Sequence, residues 1–320
     1  KPVGAGETIS IMTGAVMPVG CDTVIMREHV ERRGAEIIFD SPSKKGQHVR
    51  FAGEDLKIGQ QVFEEGTRLT PAEIGLIASL GMPEVPVFEK LRVSYFSTGD
   101  ELRSIGEPLS HGEIYDSNRY TLYAMLQNIG ADIKDLGVVR DNPALIKESL
   151  LEASQYSDVV ITSGGVSVGD ADYIKEVLAD IGQIGFWKVA MKPGRPLAFG
   201  KIGKSVFFGL PGNPVSVMIT FYQFVEPALR KMAGAKQIKA IKIKARAKED
   251  LKKRPGRTEF QRGILSLGKD GHLEVASTGD QGSGILHSMS VADCFIVLPL
   301  ESGAVERGSE VTIQLLSNLA

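Results

Sequence analysis

Hydroxyl and carboxylate side chains are concentrated in residues 158–172, where the sequence reads DVVITSGGVSVGDAD. Ser163 and Ser167 supply hydroxyl groups, whereas Asp170 and Asp172 supply carboxylates of the kind that hold a hard cation such as Mg²⁺. Glycines between them allow backbone angles and a close ligand approach that a Cβ atom would prevent. These glycines are Gly164, Gly165 and Gly169. The stretch therefore predicts a site for a phosphorylated ligand together with a metal ion.

The elements around this stretch indicate how it would be held. Residues 158–162 form an apolar, β-branched run typical of a strand buried on both faces, and a helix is predicted to begin near Ala171 with Asp170 as its cap. A strand, a small-residue loop and a helix start together direct backbone N–H groups toward an anion. The stretch matches neither the P-loop pattern nor GxGxxG, so it identifies no nucleotide. An ordinary β–α turn with glycines for packing is the alternative.

Alternating strands and helices surround this loop. Strands are predicted at 91–96, 132–138, 158–162, 186–191 and 206–210, with helices between them. The alternation predicts a doubly wound, mostly parallel sheet, in which ligands bind beyond the carboxyl ends of the strands. Besides the central stretch, the residues that follow strand ends are Thr98, Asp100, Glu101, Arg140, Asp141, Lys188, Lys192, Pro193, Gly194, Arg195, Pro211, Gly212, Asn213 and Pro214.

Carboxylates and lysines gathered at one edge of a sheet favour a particular class of chemistry. Carboxylates with open ligand positions suit Mg²⁺, and lysines suit phosphate or another oxyanion. Phosphoryl or adenylyl transfer relies mainly on positioning and charge, so it requires no nucleophilic side chain. None of the five histidines stands in a Ser/His/Asp or His/Cys pattern, which argues against acyl transfer. Taken singly, Asp141 and Asn213 are also explained as helix caps.

The flanking segments differ from the central one. Strands are predicted at 7–12, 23–26 and 34–39, and Thr70-Pro71 with Glu73 predicts a helix start. The last part predicts strands only, at 240–247, 259–267, 272–277, 294–298 and 310–315, with a hairpin turn at Asp270-Gly271. The chain is thus predicted to be α/β plus β and multi-domain. Its predicted parts are a β-rich domain at 1–52, a helical linker at 53–86, an α/β domain at 87–236 and a closed or nearly closed β domain at 237–320.

Composition excludes several classes of protein. The net charge of −2 and the lack of a concentrated basic run argue against nucleic acid as a partner. No apolar run approaches the length of a membrane span, and no signal peptide opens the chain. Cys21 and Cys294 are too few for a disulfide framework or a zinc site, so two reduced cysteines in a cytoplasmic protein are expected. The chain starts at Lys1 close to strand-like sequence, and its first domain is expected to lack an amino-terminal part.

Seven motifs resemble the molybdopterin molybdenumtransferase family, which comprises the bacterial MoeA proteins and the E domain of gephyrin. In chain order they are IMTGA (11–15), GED (53–55), STGDEL (97–102), IYDSN (114–118), ITSGGVSVG (161–169), FWKVAMKPG (186–194) and GLPGNPVS (209–216). The resemblance runs through the whole chain, and FWKVAMKPG with LPGNP is highly specific. It implies that the central sheet domain is of the molybdopterin-binding type and that a β-barrel-like domain follows it.

The resemblance also implies an activity and a set of site residues. The enzyme would insert molybdenum from molybdate into adenylylated molybdopterin in the presence of Mg²⁺ and release AMP. Positions that match the family's catalytic residues are Thr13, Asp55, Glu101, Asp141, Asp172, Lys188 and Lys192, of which Glu101, Asp141 and Asp172 would handle the metal. Ligand binding would involve Ser163, Gly164, Gly165, Ser167, Gly169, Arg195, Pro211, Gly212, Asn213, Pro214, Arg262 and Ser283. Arg195 replaces the usual lysine of the family, and without the resemblance Arg262 and Ser283 would be interpreted as surface residues.

Partners follow from the same resemblance. Family members are homodimers, and a molybdopterin adenylyltransferase would supply the adenylylated substrate. Two other functions stay open, namely a molybdopterin adenylyltransferase-like nucleotide enzyme on the same sheet and a non-catalytic scaffold. The FWKVAMKPG and GLPGNP motifs and the last β domain weigh against the first, and the carboxylates gathered at one edge weigh against the second.

Overall fold

The chain divides into two units, residues 1–64 and residues 65–320, in the computed structural model. The structure describes residues 2–39, 43–165, 173–236 and 240–316. The second unit contains the α/β sheet and the last β domain, and each unit is considered by itself below.

The first unit holds a short antiparallel hairpin of β1 (Glu31–Arg33) and β2 (Glu36–Ile38), preceded by a 3₁₀ turn at Arg27–His29. Of the three strands predicted here, only the one at 34–39 takes part in a ladder. The stretches 7–12 and 23–26 lack one among the described residues, and they are mostly exposed. Their backbone makes isolated contacts instead, such as the 3.0 Å hydrogen bond from Val24 N–H to the Gln47 carbonyl. A β-branched run forms a strand only where a neighbouring strand completes its hydrogen bonds.

Helix α1 (Pro71–Ser79) begins where the sequence predicts it. Thr70 and Glu73 form a capping box, in which the Thr70 N–H donates to Glu73 Oε2 over 2.8 Å. The helix ends shortly before Gly81, which has a φ of +72° as predicted for a left-handed terminator.

The α/β domain contains nine further strands and five helices among the described residues. The elements up to the central loop are β3 (Arg92–Thr98), β4 (Leu102–Arg103), β5 (Ile114–Tyr115), α2 (Ser117–Ile129), β6 (Asp132–Val139), α3 (Pro143–Tyr156) and β7 (Val159–Ser163). Beyond it lie α4 (Tyr173–Ile181), β8 (Gly182–Lys188), β9 (Met191–Lys192), β10 (Pro196–Ile202), β11 (Ser205–Leu210), α5 (Pro214–Thr220), a π-helical turn (Phe221–Val225) and α6 (Glu226–Met232). Within the part of the chain that the structure describes, no helix is both long and apolar enough to cross a membrane.

Six of these strands form one sheet in the order β6-β3-β7-β11-β10-β8. The first four run parallel, whereas β10 is antiparallel to both of its neighbours, so that β8 again points the same way as the first four. Side chains of α2, the π turn and α6 cover one face, and side chains of α3 and α4 cover the other. The doubly wound, mostly parallel fold predicted from the alternation is therefore confirmed.

Two details of this sheet differ from the sequence-based prediction. The strand predicted at 186–191 is divided, because β8 ends at Lys188 and β9 pairs with a strand of the following domain instead. Strand β10 was not predicted at all, although it forms a hairpin with β11. Both differences concern which strand pairs with which, and the periodicity of a single segment does not contain that information.

The last domain is a closed barrel. Its strands are β12 (Lys242–Ala247), β13 (Thr258–Leu267), β14 (Leu273–Ser277), β15 (Cys294–Leu298) and β16 (Glu310–Leu315), with a short helix α7 (His287–Ser290). The order β14-β12-β16-β15-β13 is closed by pairing of β13 with β14, and β9 adds to β13. The prediction of a β-barrel-like domain with a hairpin turn at Asp270-Gly271 is confirmed.

A shared apolar cluster joins the sheet domain to the barrel. It combines Met191 of β9 and Val215 and Ile219 of α5 with Phe260 and Phe295 of the barrel. The π turn contributes as well, since the Tyr222 ring packs against Phe295 at 5.9 Å between ring centroids. The barrel is thus held beside the loops that follow β8 and β11.

Candidate functional site

The carboxyl ends of the sheet strands lie along one edge. Ser163 at the end of β7 pairs with Ser97 of β3 and with Leu210 of β11. Thr98 pairs with the last residue of β6, and the last residue of β8, Lys188, pairs with the first residue of β10. Because neighbouring strands are about 4.8 Å apart, the edge from β6 to β8 extends over roughly 24 Å.

Carboxylates crowd the β3–β6 end of this edge. The backbone N–H of Asp141 donates to Asp100 Oδ1 over 3.3 Å. The pKa of Asp141 is raised by partial burial, and further by the negative charges of Asp100 and Glu101. The Glu101 carboxylate folds back over Gly99, where a Cβ atom would lie 2.8 Å from Glu101 Oε2. The structure therefore brings Glu101 and Asp141 together around Asp100.

The glycine pair after β7 is in close contact with the end of β3. Gly164 and Gly165 have φ values of +90° and +65°. A Cβ atom on Gly164 would lie 2.4 Å from the Thr98 carbonyl oxygen, and one on Gly165 would lie 2.6 Å from Ile174 Cδ1. Both the left-handed backbone and the space therefore require glycine. Ser167, Gly169 and Asp172, which were also predicted to belong to the site, lie outside the described residues.

Asn118, at the start of α2, connects the two loops at the middle of the edge. Its Nδ2 donates to Ser163 Oγ over 2.9 Å and to the Gly212 carbonyl over 2.7 Å. Asn118 Oδ1 and Thr98 Oγ1 are buried and have no hydrogen-bond partner among the described residues. Buried polar atoms without partners are uncommon, and here they lie where a polar ligand would satisfy them. Sequence analysis did not assign Asn118 to the site, although it lies in the IYDSN motif.

The loop at 211–214 leads from β11 into α5. Pro211 is buried, whereas Gly212 and Asn213 are exposed. Pro214 occupies the first turn of the helix, and Asn213 is the residue before it, as predicted. Asn213 caps the helix without a side-chain hydrogen bond, so its amide group faces outward and is available for a ligand.

Basic residues occupy the β8 end of the edge. Lys188 and Arg195 are exposed. Lys192 belongs to β9, and its Nζ forms an ion pair with Glu259 Oε1 of the barrel at 3.4 Å. Pro193 follows in a cis peptide bond and is buried, and the N–H of Val189 donates to the Arg195 carbonyl over 2.8 Å.

Arg262 is buried, which corrects the interpretation of it as a surface residue. Its guanidinium is enclosed by the barrel, where Nε donates to Ser288 Oγ over 2.9 Å and Nη2 donates to the Gly282 carbonyl over 3.0 Å. Burial lowers the pKa of this guanidinium. The interpretation failed because sequence alone did not show that the backbone of the 280–288 segment would supply partners for the charge. Ser283 is half-buried, and its carbonyl accepts from the Val215 N–H over 3.1 Å, so this segment touches the start of α5.

Thr13 and Asp55 belong to the first unit, and both are exposed there. The structure therefore groups the predicted residues into an acidic cluster with Glu101 and Asp141, a central group with Ser163, Gly164, Gly165 and Gly212, and a basic group with Lys188, Lys192 and Arg195. Within the described ranges, no three Asp, Glu, His or Cys side chains are arranged as ligands of one metal ion. The acidic cluster nevertheless suits a hard cation, since oxygen donors and unbalanced negative charge are what Mg²⁺ requires.

Comparison with known proteins relates all parts of the chain to one family. The family model described as "MoeA N-terminal region (domain I and II)" matches residues 1–81. The one described as "Probable molybdopterin binding domain" matches residues 94–231, and "MoeA C-terminal region (domain IV)" matches residues 244–316.

Individual relatives agree with these matches. The molybdopterin molybdenumtransferase of Haemophilus influenzae is 46% identical over 98% of this chain and 78% of that protein. The protein of the same name from a Nostoc species is 38% identical over 96% of this chain and 72% of its own length. Among solved structures, the molybdopterin biosynthesis moeA protein of Pyrococcus horikoshii has a TM-score of 0.83 and 32% identity, covering 99% of this chain and 77% of that one.

Proposed function

The chain belongs to the MoeA family of molybdopterin molybdenumtransferases, and from this membership we propose that it transfers molybdenum from molybdate to adenylylated molybdopterin with Mg²⁺ and releases AMP. The protein is a transferase of molybdenum cofactor biosynthesis. The adenylylated form of the substrate, the role of Mg²⁺ and the release of AMP are the parts that we propose.

One observation supports these parts most directly. The pKa of Asp141 is raised because burial and two like charges, Asp100 and Glu101, surround it at the edge where ligands of such sheets bind. A bound Mg²⁺ would neutralise this cluster and the charge that develops on a transferring phosphate. Asp141 and Glu101 would hold the ion, together with Asp172.

Other residues would bind the negatively charged substrates. Lys188 and Lys192 would hold phosphate or molybdate, with Arg195 adding a forked donor. The backbone of Ser163, Gly164 and Gly165 would accept the pterin phosphate, beside the unpaired oxygens of Thr98 and Asn118. Further ligand contacts are proposed for Ser167, Gly169, Pro211, Gly212, Asn213, Pro214, Arg262 and Ser283, and Thr13 and Asp55 are proposed as catalytic residues of the first unit.

The partners of the proposed reaction are a molybdopterin adenylyltransferase, which would supply the substrate, and a second copy of this chain in a homodimer. A cytoplasmic location stays a prediction. The family membership and the match of all three family models favour this function over the adenylyltransferase and scaffold alternatives.

The test is release of AMP from adenylylated molybdopterin, measured with and without molybdate and with and without Mg²⁺. We expect release that depends on both. Lys192→Ala should lower the rate about 100-fold, because it removes a charge that stabilises the transferring group. Lys201→Ala, which changes an exposed lysine of β10 at the opposite edge of the sheet, is the control and should leave the rate unchanged.

Two results would contradict the proposal. Adenylylation of molybdopterin by this chain with ATP would support the adenylyltransferase alternative. Capture of a peptide partner without any AMP release that depends on molybdate would support a scaffold.

A further inference from the structure

A buried carboxylate of the barrel reaches the basic end of the site. Glu259 of β13 pairs in the ladder with Lys192 of β9, and its side chain is only 5% exposed, against 45% for Lys192. The Lys192 Nζ lies 3.4 Å from Glu259 Oε1 and 3.5 Å from Oε2. One residue that was expected to bind an oxyanion is therefore held by a carboxylate that the sequence analysis did not consider.

A neighbouring amide keeps this carboxylate in place. Gln261 Nε2 donates to Glu259 Oε2 over 3.1 Å and to the Lys252 carbonyl over 2.8 Å. Glu259 and Gln261 are both nearly fully buried. Because they also lie in a strand that pairs on both sides, the position of the carboxylate is determined by the barrel and not by the exposed loop.

The geometry leaves the lysine available to a second anion. Charge-assisted N–H···O bonds are usually about 2.7–2.9 Å long, so contacts of 3.4 and 3.5 Å to both oxygens are loose. A lysine ammonium has three donors, and almost half of the Lys192 side chain is exposed. Lys253 shows the contrast, since its buried Nζ lies among three backbone carbonyls, of Arg254, Leu300 and Ser302.

We infer that Glu259, held by Gln261, is a positioning residue that sets the place of the Lys192 ammonium at the substrate edge and limits its net attraction for oxyanions. The inference rests on the proposed function, because it takes Lys192 as the group that binds phosphate or molybdate. It assigns to the barrel a part in the catalytic site through one side chain.

Glu259→Gln separates this role from simple stabilisation. Glutamine keeps the shape and can still accept from Gln261, and it removes one buried charge, so the melting temperature should change little. Molybdate should bind roughly three- to tenfold more tightly, because the negative charge beside Lys192 is gone. The value of kcat for AMP release should fall about tenfold, because the ammonium is no longer held in the productive position. A purely structural residue would not produce opposite changes in affinity and turnover.

Two further variants make the comparison specific. Glu226→Gln removes a charge of similar burial from the Arg230 ion pair on α6, where the Glu226 side chain is 15% exposed, and it should leave molybdate affinity and kcat as in the wild type. In a Lys192→Met background, Glu259→Gln should have no further effect on molybdate affinity, because the group through which it acts is absent. Sodium molybdate binding is measured by calorimetry, and kcat and KM by AMP release.

The outcomes are distinguishable. Unchanged kcat, KM and molybdate affinity in Glu259→Gln would overturn the inference, and so would an affinity change that persists in the Lys192→Met background. If the wild-type chain neither binds molybdate nor releases AMP, the proposed function itself fails, and the inference fails with it. Tighter molybdate binding with slower turnover in Glu259→Gln alone supports it.

Discussion

Single charges at the edge of the sheet are placed where they are costly for folding. Asp141 is crowded by Asp100 and Glu101, so its raised pKa reports an interaction that opposes the ionised form. A carboxylate that were only a helix cap or a solvated side chain would have no reason to be placed so. Unfavourable charge of this kind is typical of sites where a ligand completes the balance.

Asp141→Asn should raise stability while lowering activity. The folded pKa of Asp141 is raised, so its favourable contribution is present below the ordinary aspartate pKa and is lost as pH rises through the raised value. The variant should therefore equal the wild type in urea unfolding at acidic pH and exceed it at neutral pH. AMP release should fall about 100-fold, because a cation ligand is lost.

Asp132→Asn is the matched control, since Asp132 is an exposed residue at the opposite end of β6. It should leave both stability and AMP release nearly unchanged. Equal activity of Asp141→Asn and the wild type would remove Asp141 from the site.

At the scale of elements, the loops of the site depend on contacts between neighbouring strand ends. The glycine pair after β7 packs against Thr98 of β3, and Asn118 of α2 joins Ser163 to Gly212. The strands themselves are buried and regular, so they give these loops a rigid base. The loop after β7 is therefore held by three separate elements.

Gly165→Ala should damage both stability and activity. The residue has a φ of +65°, and the new Cβ atom would lie 2.6 Å from Ile174 Cδ1 and 2.9 Å from Thr98 Oγ1. Left-handed strain alone costs about 1 kcal/mol, and forced displacement of packed atoms costs about 1–3 kcal/mol more. Urea unfolding should show the combined loss, and AMP release should decrease because the loop moves.

The control for that change is Gly203→Ala in the β10–β11 turn. Gly203 has a φ of +58°, and a Cβ atom added to it would meet no other atom within 4 Å, so only the backbone strain applies. We expect a loss of about 1 kcal/mol and normal AMP release. If both variants behave alike, close packing around Gly165 has no functional weight.

At the scale of the whole molecule, the sheet domain and the barrel share one apolar cluster. Met191 is 2% exposed and lies in β9, which extends the barrel sheet although it follows directly on a strand of the α/β domain. The next residue is Lys192, so the packing between the domains and the placement of the basic group depend on the same two-residue strand. The four-part division at 1–52, 53–86, 87–236 and 237–320 stays a prediction.

Met191→Ala should lower the free energy of unfolding by about 2–4 kcal/mol, because it leaves a cavity between the domains. KM for the adenylylated substrate should rise, since Lys192 loses its support. Met232→Ala, at the 37% exposed end of α6, should change the free energy of unfolding by less than about 1 kcal/mol and leave KM as it is. The midpoint of urea unfolding followed by circular dichroism checks both, and equal loss in the two variants would contradict this account of the cluster.

The sequence by itself determined the local elements and the family. Helix caps at Thr70, Asp116 and Asn142, the buried run of β7 and the Asp270-Gly271 turn are local signals, and the structure confirms each of them. The rule that polar residues follow parallel strands at one edge also predicted which end of the sheet holds the candidate site.

Tertiary structure alone decided the pairings between distant parts of the chain. Lys192 and Glu259 are 67 residues apart, Asn118 and Gly212 are 94 apart, and Arg262 finds its partners 18 to 26 residues further on. Periodicity records whether one segment is a helix or a strand, but it does not record which segment will supply the neighbouring hydrogen bonds. Those partners exist only once the sheet and the barrel have packed together, and for that reason the support of the basic group became visible only in the folded chain.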